Sequence, residues 1–363
     1  MKKSMFVSEE DRQTLERAYA GRKLLQGELH DHAYTGGTSD GKCSLGMWQK
    51  EMKLLGMDFA AILDHKQVRH MYLPEWDDAC FVCGTEPGTR ITDSAAEDAS
   101  LHYNMLFPKV RQLEKLLEDF PEFEFTGGSE GHFIYPSFTT ARFQELIDAV
   151  MAGGGFFVLP HPKQIMISED PETYFFRDGT GIEVFYNDLD SKYTEENYGL
   201  YLQLLAAGHR LWACAGGDLH NHAGTGALTT LYAAERTGPA MFPQLRTGDF
   251  TCGSAGVRMV MGETRMGGEA DFCGQKLIFS VGDLHDSVVY QEHTYYVELW
   301  DDRRLIFREE IDPTKTSYFS VETEKDAGFY RVEVWDGSRR YRTKKVGYCI
   351  AMGNPIWRRD WMR

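Results

Sequence analysis

Up to about residue 225, short apolar runs alternate with amphipathic stretches. Leu24 to Leu29, Phe59 to Leu63, Phe81 to Cys83, Phe156 to Leu159, Ile182 to Tyr186 and Leu211 to Ala215 read as buried strands, and Leu101-His102-Tyr103 opens a further short apolar segment. Helical segments lie between them. Ser44 caps one that runs through Leu55 and stops at Gly56, and Pro108 opens another through Leu117. Thr139 caps a third through Met151, ended by Gly153-Gly154-Gly155, and a fourth covers Tyr198 to Ala207. Strands alternating with helices predict an α/β fold built on a mainly parallel sheet. In such folds functional groups gather at the carboxyl ends of the strands, most clearly in βα barrels.

After about residue 262 the pattern changes to turns and alternating strands. Tyr295 to Trp300 connects through Asp301-Asp302-Arg303-Arg304 to Leu305-Ile306-Phe307, a hairpin pattern. Phe329 to Trp335 is predicted to turn at Asp336-Gly337-Ser338 into Arg339 to Arg342. These features predict a small all-β, immunoglobulin-like sandwich, although the paired cysteines of immunoglobulin domains are not evident. The expected division is residues 1–262 and 263–363, with no internal repeat or low-complexity linker.

With 363 residues the chain can bury a substantial core and form two domains. Its formal charge of −16 argues against a nucleic-acid polymer or an anionic membrane as the main partner. A small anionic substrate remains compatible, because bound cations reverse a local field. The first ten residues lack the apolar stretch of a signal peptide, and no run is long enough to cross a bilayer. Seven scattered cysteines, an odd number, then suggest reduced thiols and a cytoplasmic location. Cys80-Phe81-Val82-Cys83 has redox spacing but sits in an apolar run without a second pair, so a structural role is expected. A homo-oligomer is compatible with everything above.

The candidate chemistry follows the apolar runs. His30-Asp31-His32 ends the first, and the period of two along a strand puts both imidazoles on one side. Asp40 lies in the stretch after the same run, His65, Glu86, His161, Asp218 and His220 follow later runs, and His102 lies within the short segment Leu101-His102-Tyr103. Taken singly, each has a plain structural reading: a core histidine, a turn between Pro160 and Pro162, or a helix cap at Asp218. Their joint placement after successive strands is what those readings leave unexplained. Imidazole and carboxylate donors suit zinc, manganese or iron.

His30-x-His32 with Ser39-Asp40-Gly41, Asp64-His65, Gly84-x-Glu86, His102, Pro160-His161-Pro162 and Asp218-x-His220 resemble, in order, the motifs of the polymerase and histidinol phosphatase (PHP) superfamily. The resemblance covers about residues 24 to 225 and implies a distorted seven-stranded βα barrel with two or three divalent metal ions. Carried over by motif, His30, His32, Glu86 and Asp218 would hold the first ion. Glu86, His102 and His161 would hold the second, and Asp40, His65 and His220 the third. Gly128-Ser129-Glu130-Gly131-His132 offers a competing Glu and His, but Leu101-His102-Tyr103-Asn104 is similar to the family segment that follows the glutamate. Asn354-Pro355-Ile356 and the β-rich tail are similar to a subgroup that includes aryl carbamate hydrolases.

The implied activity is a metal-dependent phosphoesterase that cleaves a small phosphorylated metabolite or nucleotide with a hydroxide bridging two ions. Hydrolysis of a carbamate, ester or amide at the same centre is the alternative, and a noncatalytic metal-dependent binding module is a third. Glu86, as bridging carboxylate, and Asp64, as an orienting carboxylate, are the catalytic candidates. Lys66 and Arg69 are the candidate substrate contacts, with Lys163 open to the same two readings, phosphate contact or solvated surface. His222 is read as an exposed histidine and Glu183 as a strand-end group that is either structural or supports a ligand.

Overall fold

The structure, a computed structural model, describes residues 7–93, 100–123, 136–162, 176–340 and 346–361. Glu130, His132 and Lys163 lie outside the described residues. Through residue 253 the strands are β1 (Lys23–Asp31), β2 (Phe59–Ile62), β3 (Phe81–Thr85), β4 (Gly88–Ile91), β5 (Ser100–His102), β6 (Asn104–Phe107), β7 (Ser137–Phe138), β8 (Phe156–Leu159), β9 (Gly181–Tyr186), β10 (Trp212–Gly216), β11 (Thr229–Ala233) and β12 (Phe250–Gly253). The α-helices are α1 (Glu9–Ala18), α2 (Leu45–Leu55), α3 (Val110–Asp119), α4 (Thr140–Ala152), α5 (Lys192–Ala206) and α6 (Gly238–Thr247). The fold is mixed α/β.

Local chemistry accounts for the helix ends. The hydroxyls of Ser44 and Thr139 accept the N–H groups of Met47 and Arg142, and Gly56 closes α2 in the left-handed conformation, φ 71°. Several helix starts differ from the sequence expectation: α3 begins at Val110 rather than Pro108, and α6, capped by Thr237, falls outside it. Ser191 caps α5 by accepting from Thr194, so the polar stretch Lys192 to Asn197 is helical rather than loop. Ser8 and Asp11 form a reciprocal capping box at α1, a helix the hydrophobic pattern did not reveal.

Seven strands run in the order β10-β9-β8-β6-β3-β2-β1. β1, β2 and β3 are parallel, as are β8, β9 and β10, while β6 is antiparallel to both its neighbours. Backbone bonds link the two ends: Asp218 N–H donates to His30 O at 2.7 Å, and His32 N–H donates to Leu219 O at 3.0 Å. β2, β3, β8, β9 and β10 are buried along their whole length, which is why they read as continuous apolar runs rather than alternating ones. β5, β4 and β7 make a separate three-stranded sheet that places His102 opposite Gly88.

The same large sheet continues from β1 through β11 and β12. The remaining strands are β13 (Gly256–Met261), β14 (Thr264–Arg265), β15 (Glu269–Ala270), β16 (Lys276–Gly282), β17 (Tyr295–Asp301), β18 (Leu305–Ile311), β19 (Ser317–Glu322), β20 (Phe329–Arg340), β21 (Val346–Gly353) and β22 (Ile356–Arg358). The path runs on from β12 into β21, β20, β17 and β18. β14, β13, β16 and β19 form a second sheet. Phe279 on β16 stacks on Phe307 of β18 at 5.9 Å, so side chains of the two sheets pack on each other. The boundary expected at 262/263 falls in the turn of the β13–β14 hairpin.

One sequence expectation is corrected. The chain does not reverse at Asp336-Gly337-Ser338; β20 continues through Arg340, and its antiparallel neighbours are β17, β21 and, at its start, β22. Asp336 Oδ1 accepts from the N–H groups of Ser338 and Arg339, and Gly337 N–H donates to Thr294 O. The turn-forming residues therefore produce a bulge in the strand.

Candidate metal centre

The carboxyl ends of β1, β2, β3, β8 and β10, with β5, deliver nine side chains to one place. His30 and His32 come from β1 and the residue after it, His65 from the loop after β2, and Glu86 directly follows β3. His102 ends β5, His161 follows β8, Asp218 and His220 follow β10, and Asp40 lies on the loop after β1. Their donor atoms form three overlapping groups, each with all atoms within 4.8 Å: His30, His32, Glu86 and Asp218; Glu86, His102 and His161; His32, Asp40, His65 and His220. Glu86 and His32 are each shared by two groups.

In the first group His30 Nε2 lies 3.3 Å from Glu86 Oε2 and 3.5 Å from Asp218 Oδ1. His32 Nε2 lies 3.2 and 3.1 Å from the same two oxygens. Tetrahedral coordination with bonds of 2.0–2.1 Å requires donor atoms about 3.3 Å apart, the edge of that tetrahedron. Moreover, His30 Nε2 and Glu86 Oε2 are buried and neither makes a hydrogen bond, despite their closeness. Buried polar atoms without partners are costly. His32 Nε2 pairs with Asp218 Oδ1, but buried donors left without a partner around a common point are what an ion requires, so the residues fit a divalent metal.

The second group is built on the other oxygen of Glu86, with His102 Nδ1 at 3.0 Å and His161 Nε2 at 3.2 Å. In the third, His220 Nε2 and His65 Nε2 stand 3.2 and 3.6 Å from the two Asp40 oxygens. Burial grades across the centre: Glu86 is 1% exposed, the Asp218 side chain 15% and that of Asp40 35%. The third group therefore forms the open rim.

A surrounding layer holds the donors in place. Glu183 on β9 stands with Oε1 3.2 Å from His30 Nδ1, while its Oε2 accepts the backbone N–H of His161 at 2.7 Å. Tyr186 donates its hydroxyl to Asp218 Oδ2 at 3.0 Å. His65 Nδ1 and His220 Nδ1 face the carbonyl oxygens of Glu86 and Asp218 at 3.0 and 2.8 Å, which turns each Nε2 toward Asp40. Gly216 is required beneath this layer: a Cβ there would lie 2.0 Å from Glu183 Oε1 and 2.6 Å from His30 Cβ. Lys66, His161, Asn187 and Asp218 adopt left-handed backbone angles, φ 50°, 28°, 62° and 50°, each just beyond a strand that serves the site. Such strained conformations persist where the surrounding structure enforces them, and they collect at functional sites.

The electrostatics are tightly coupled. Burial opposes the charge on His32, but its contacts with Asp218 and Glu86 outweigh that and push its pKa up to about 10. His30 and His102 are raised for the same reason, burial opposing and Glu86 prevailing. Burial would raise Glu86 and Asp218, yet the surrounding imidazoles hold both below the usual carboxylate range. In the metal-free chain, protons on imidazole thus supply the positive charge these carboxylates need.

The remaining sequence candidates lie outside the three groups. Asp64 is fully buried and shapes the loop after β1, accepting from Ala33 N–H at 2.9 Å and from the Thr35 hydroxyl. Lys66 lines a cavity of about 540 Å³ with Thr85, Pro87 and Arg111, and burial draws its pKa down to about 8. Arg69 is exposed and lies beside Gly36. His222 is exposed. Tyr186 was missed by sequence reasoning, because no motif marks a tyrosine at a strand end as a partner for a residue 32 positions away.

No protein-family model matches the sequence, and no curated protein matches it. Among solved structures the chain is similar to an amidohydrolase from Chromobacterium violaceum with bound sulfate and no metal, at 15% identity and a TM-score of 0.39, over 54% of this chain and 87% of that one. It is also similar to endonuclease Q in complex with a 27-mer duplex bearing an abasic lesion, at 12% identity and a TM-score of 0.41, over 62% of this chain and 57% of that one. Both likenesses are distant, and the nine convergent side chains are the feature from which function has to be read.

Proposed function

We propose that the protein is a metal-dependent hydrolase that cleaves a small phosphorylated metabolite or nucleotide. The observation that carries this reading is the convergence of nine imidazole and carboxylate side chains in three groups of donor atoms, with His30 Nε2 and Glu86 Oε2 buried there without a hydrogen-bond partner. We further infer that β10-β9-β8-β6-β3-β2-β1 close as a distorted barrel, for which the backbone bonds between β1 and the segment after β10 speak.

His30, His32, Glu86 and Asp218 would hold one divalent ion, Glu86, His102 and His161 a second, and Asp40, His65 and His220 a third. Such ions supply Lewis acidity and a water of lowered pKa. Three carboxylates against three divalent ions leave the centre positive, and against two ions still positive, which favours a phosphoryl group over a neutral ester. The chain's own residues do the rest. His30 and Glu86 close the buried end against bulk water, Glu183 holds the proton of His30 on Nδ1, and Tyr186 fixes the orientation of Asp218. Asp40 and His220 stand at the rim where a substrate arrives.

Metal analysis followed by a substrate panel tests this. We expect two or three divalent ions per chain, turnover of phosphomonoesters, and loss of both bridged ions and activity in Glu86→Gln. Fewer than two ions, with activity untouched by Glu86→Ala, refutes the centre. Turnover of aryl carbamates or esters but not phosphomonoesters replaces the substrate class and keeps the hydrolase.

A further inference from the structure

The rim of the centre opens into a cleft of about 890 Å³. Asp218 and His220 form one wall, Asp188 and Asp190 lie on the segment after β9, and Tyr290, Arg339 and Tyr348 face in from the β-rich half. The cleft therefore joins the nine-residue centre to a part of the chain that contributes none of the nine.

Arg339 is the unusual member. Its guanidinium lies over the Tyr290 ring at 4.5 Å and over the Tyr348 ring at 5.5 Å, and Nη1 donates to the Tyr348 hydroxyl. Among the described residues no carboxylate forms an ion pair with it. Asp336, on the same strand, is already engaged: Oδ2 lies 2.7 Å from His293 Nδ1, and Oδ1 accepts from two backbone N–H groups. Arg339 is thus a half-buried cation gripped by two tyrosines, with Nε and Nη2 uncommitted among the described residues. Its rotamer freedom is spent before a ligand arrives, which is how an arginine is prepared for planar oxyanion recognition. Besides the metal end, a negative group on a ligand in this cleft therefore finds a favourable place at Arg339.

We propose that Arg339 is a specificity-determining residue that binds a second anionic group, a carboxylate or a phosphate, carried by the substrate away from the bond that is cleaved. This rests on the hydrolytic reading of the centre. The substrate class becomes a doubly anionic small molecule, such as a phosphorylated acid or a bisphosphate. Tyr290 flanks the subsite.

The test uses the full chain loaded with manganese and phosphonates, whose carbon–phosphorus bond a phosphoesterase does not cleave. Calorimetry gives Kd for propylphosphonate, phosphonopropanoate, phosphonohexanoate and propane bisphosphonate. In the wild type at least one doubly anionic ligand binds about tenfold or more tighter than propylphosphonate, the factor a charge-assisted contact provides. Whether the gain follows the carboxylate or the second phosphonate identifies which anion is read. Arg339→Gln abolishes the gain and leaves propylphosphonate unchanged; Arg339→Lys keeps part of it. Equal affinities across the wild-type series, no binding by any doubly anionic ligand, or a uniform loss in Arg339→Gln accompanied by a lower Tm overturns the inference. A protein that shows the Arg339-dependent gain yet turns over no phosphomonoester instead overturns the phosphoesterase reading alone.

Discussion

Replacing Glu183 by glutamine removes one negative charge and almost no volume from a side chain that touches no substrate. Its two oxygens serve two groups: Oε1 faces His30 Nδ1 at 3.2 Å, and Oε2 accepts from the His161 backbone at 2.7 Å. A glutamine has one acceptor oxygen and one NH2 group. If the oxygen stays with His161, the NH2 faces His30 and forces Nδ1 to accept. The imidazole proton then sits on Nε2, the atom directed at Glu86 and Asp218, and cannot remain there when a metal binds. If the amide turns over, the buried His161 N–H loses its acceptor, at a backbone angle of φ 28° that depends on that contact. Either way one hydrogen bond to a charged group is lost, about 1.5–3 kcal/mol. That corresponds to roughly 10- to 150-fold in the affinity of the first site, in line with the 10- to 100-fold typical of groups that orient metal-bound histidine. The assay is competition for zinc or manganese against a chelator of known affinity, alongside Tm of the metal-free protein. Weaker metal binding is expected. Wild-type affinity in Glu183→Gln would show that the His30 tautomer is set elsewhere and refute the reasoning.

Gly216→Ala should act on the same contact from beneath, since the new methyl must displace Glu183 Oε1 and His30 Cβ. A loss of about 1–3 kcal/mol in urea unfolding and reduced metal content are expected; unchanged values for both would mean the layer yields freely. The raised imidazoles set a pH dependence for the metal-free chain. Because the folded pKa of His32 is about 10 against roughly 6.5 unfolded, the stability it contributes is complete below pH 6.5 and lost as pH rises toward 10. Tm of the chelated protein should therefore fall across that window, relative to the metal-loaded protein, and parallel curves would contradict the assignment. Glu333 is fully buried and accepts from Tyr198, Arg331 and Trp335. Glu333→Ala leaves the Arg331 charge buried without its partner and should cost about 3–5 kcal/mol by chemical denaturation; a loss under about 1 kcal/mol would show the arginine finds another acceptor.

Most of the convergent residues were legible as strand-end groups because a buried strand announces its own end, whereas Asp40 lies well beyond β1 and His102 within β5. His30-x-His32, Glu86 and His161 needed only local pattern to be placed together at strand ends. What surrounds them was less legible. Glu183 showed as a strand-end carboxylate, but its two partners lie 153 and 22 residues away, and Tyr186 reaches Asp218 only because β9 lies beside β10. Arg339 carried no signal at all, since its significance comes from the cleft it shares with Asp218 and His220. The misplaced turn has a local cause: Asp336-Gly337-Ser338 has turn chemistry, and pairing with Tyr295 and β21 overrides it. The start of α5 escaped for the opposite reason, a polar first turn that only its Ser191 cap explains.

The run β1-β11-β12-β21-β20 connects the strand that holds His30 to the strand that holds Arg339 through successively paired strands, with a bulge in β20 just before Arg340. On the reading proposed above, the sheet would act as a ruler between the two ends of a substrate. A one-residue slip of β20 against β21 would turn Arg339 to the opposite face, and a two-residue slip would keep its face and move it about 7 Å along the strand. Small insertions or deletions in β20, far from any metal donor, would then change which substrates fit in discrete steps, leaving the hydrolytic chemistry untouched.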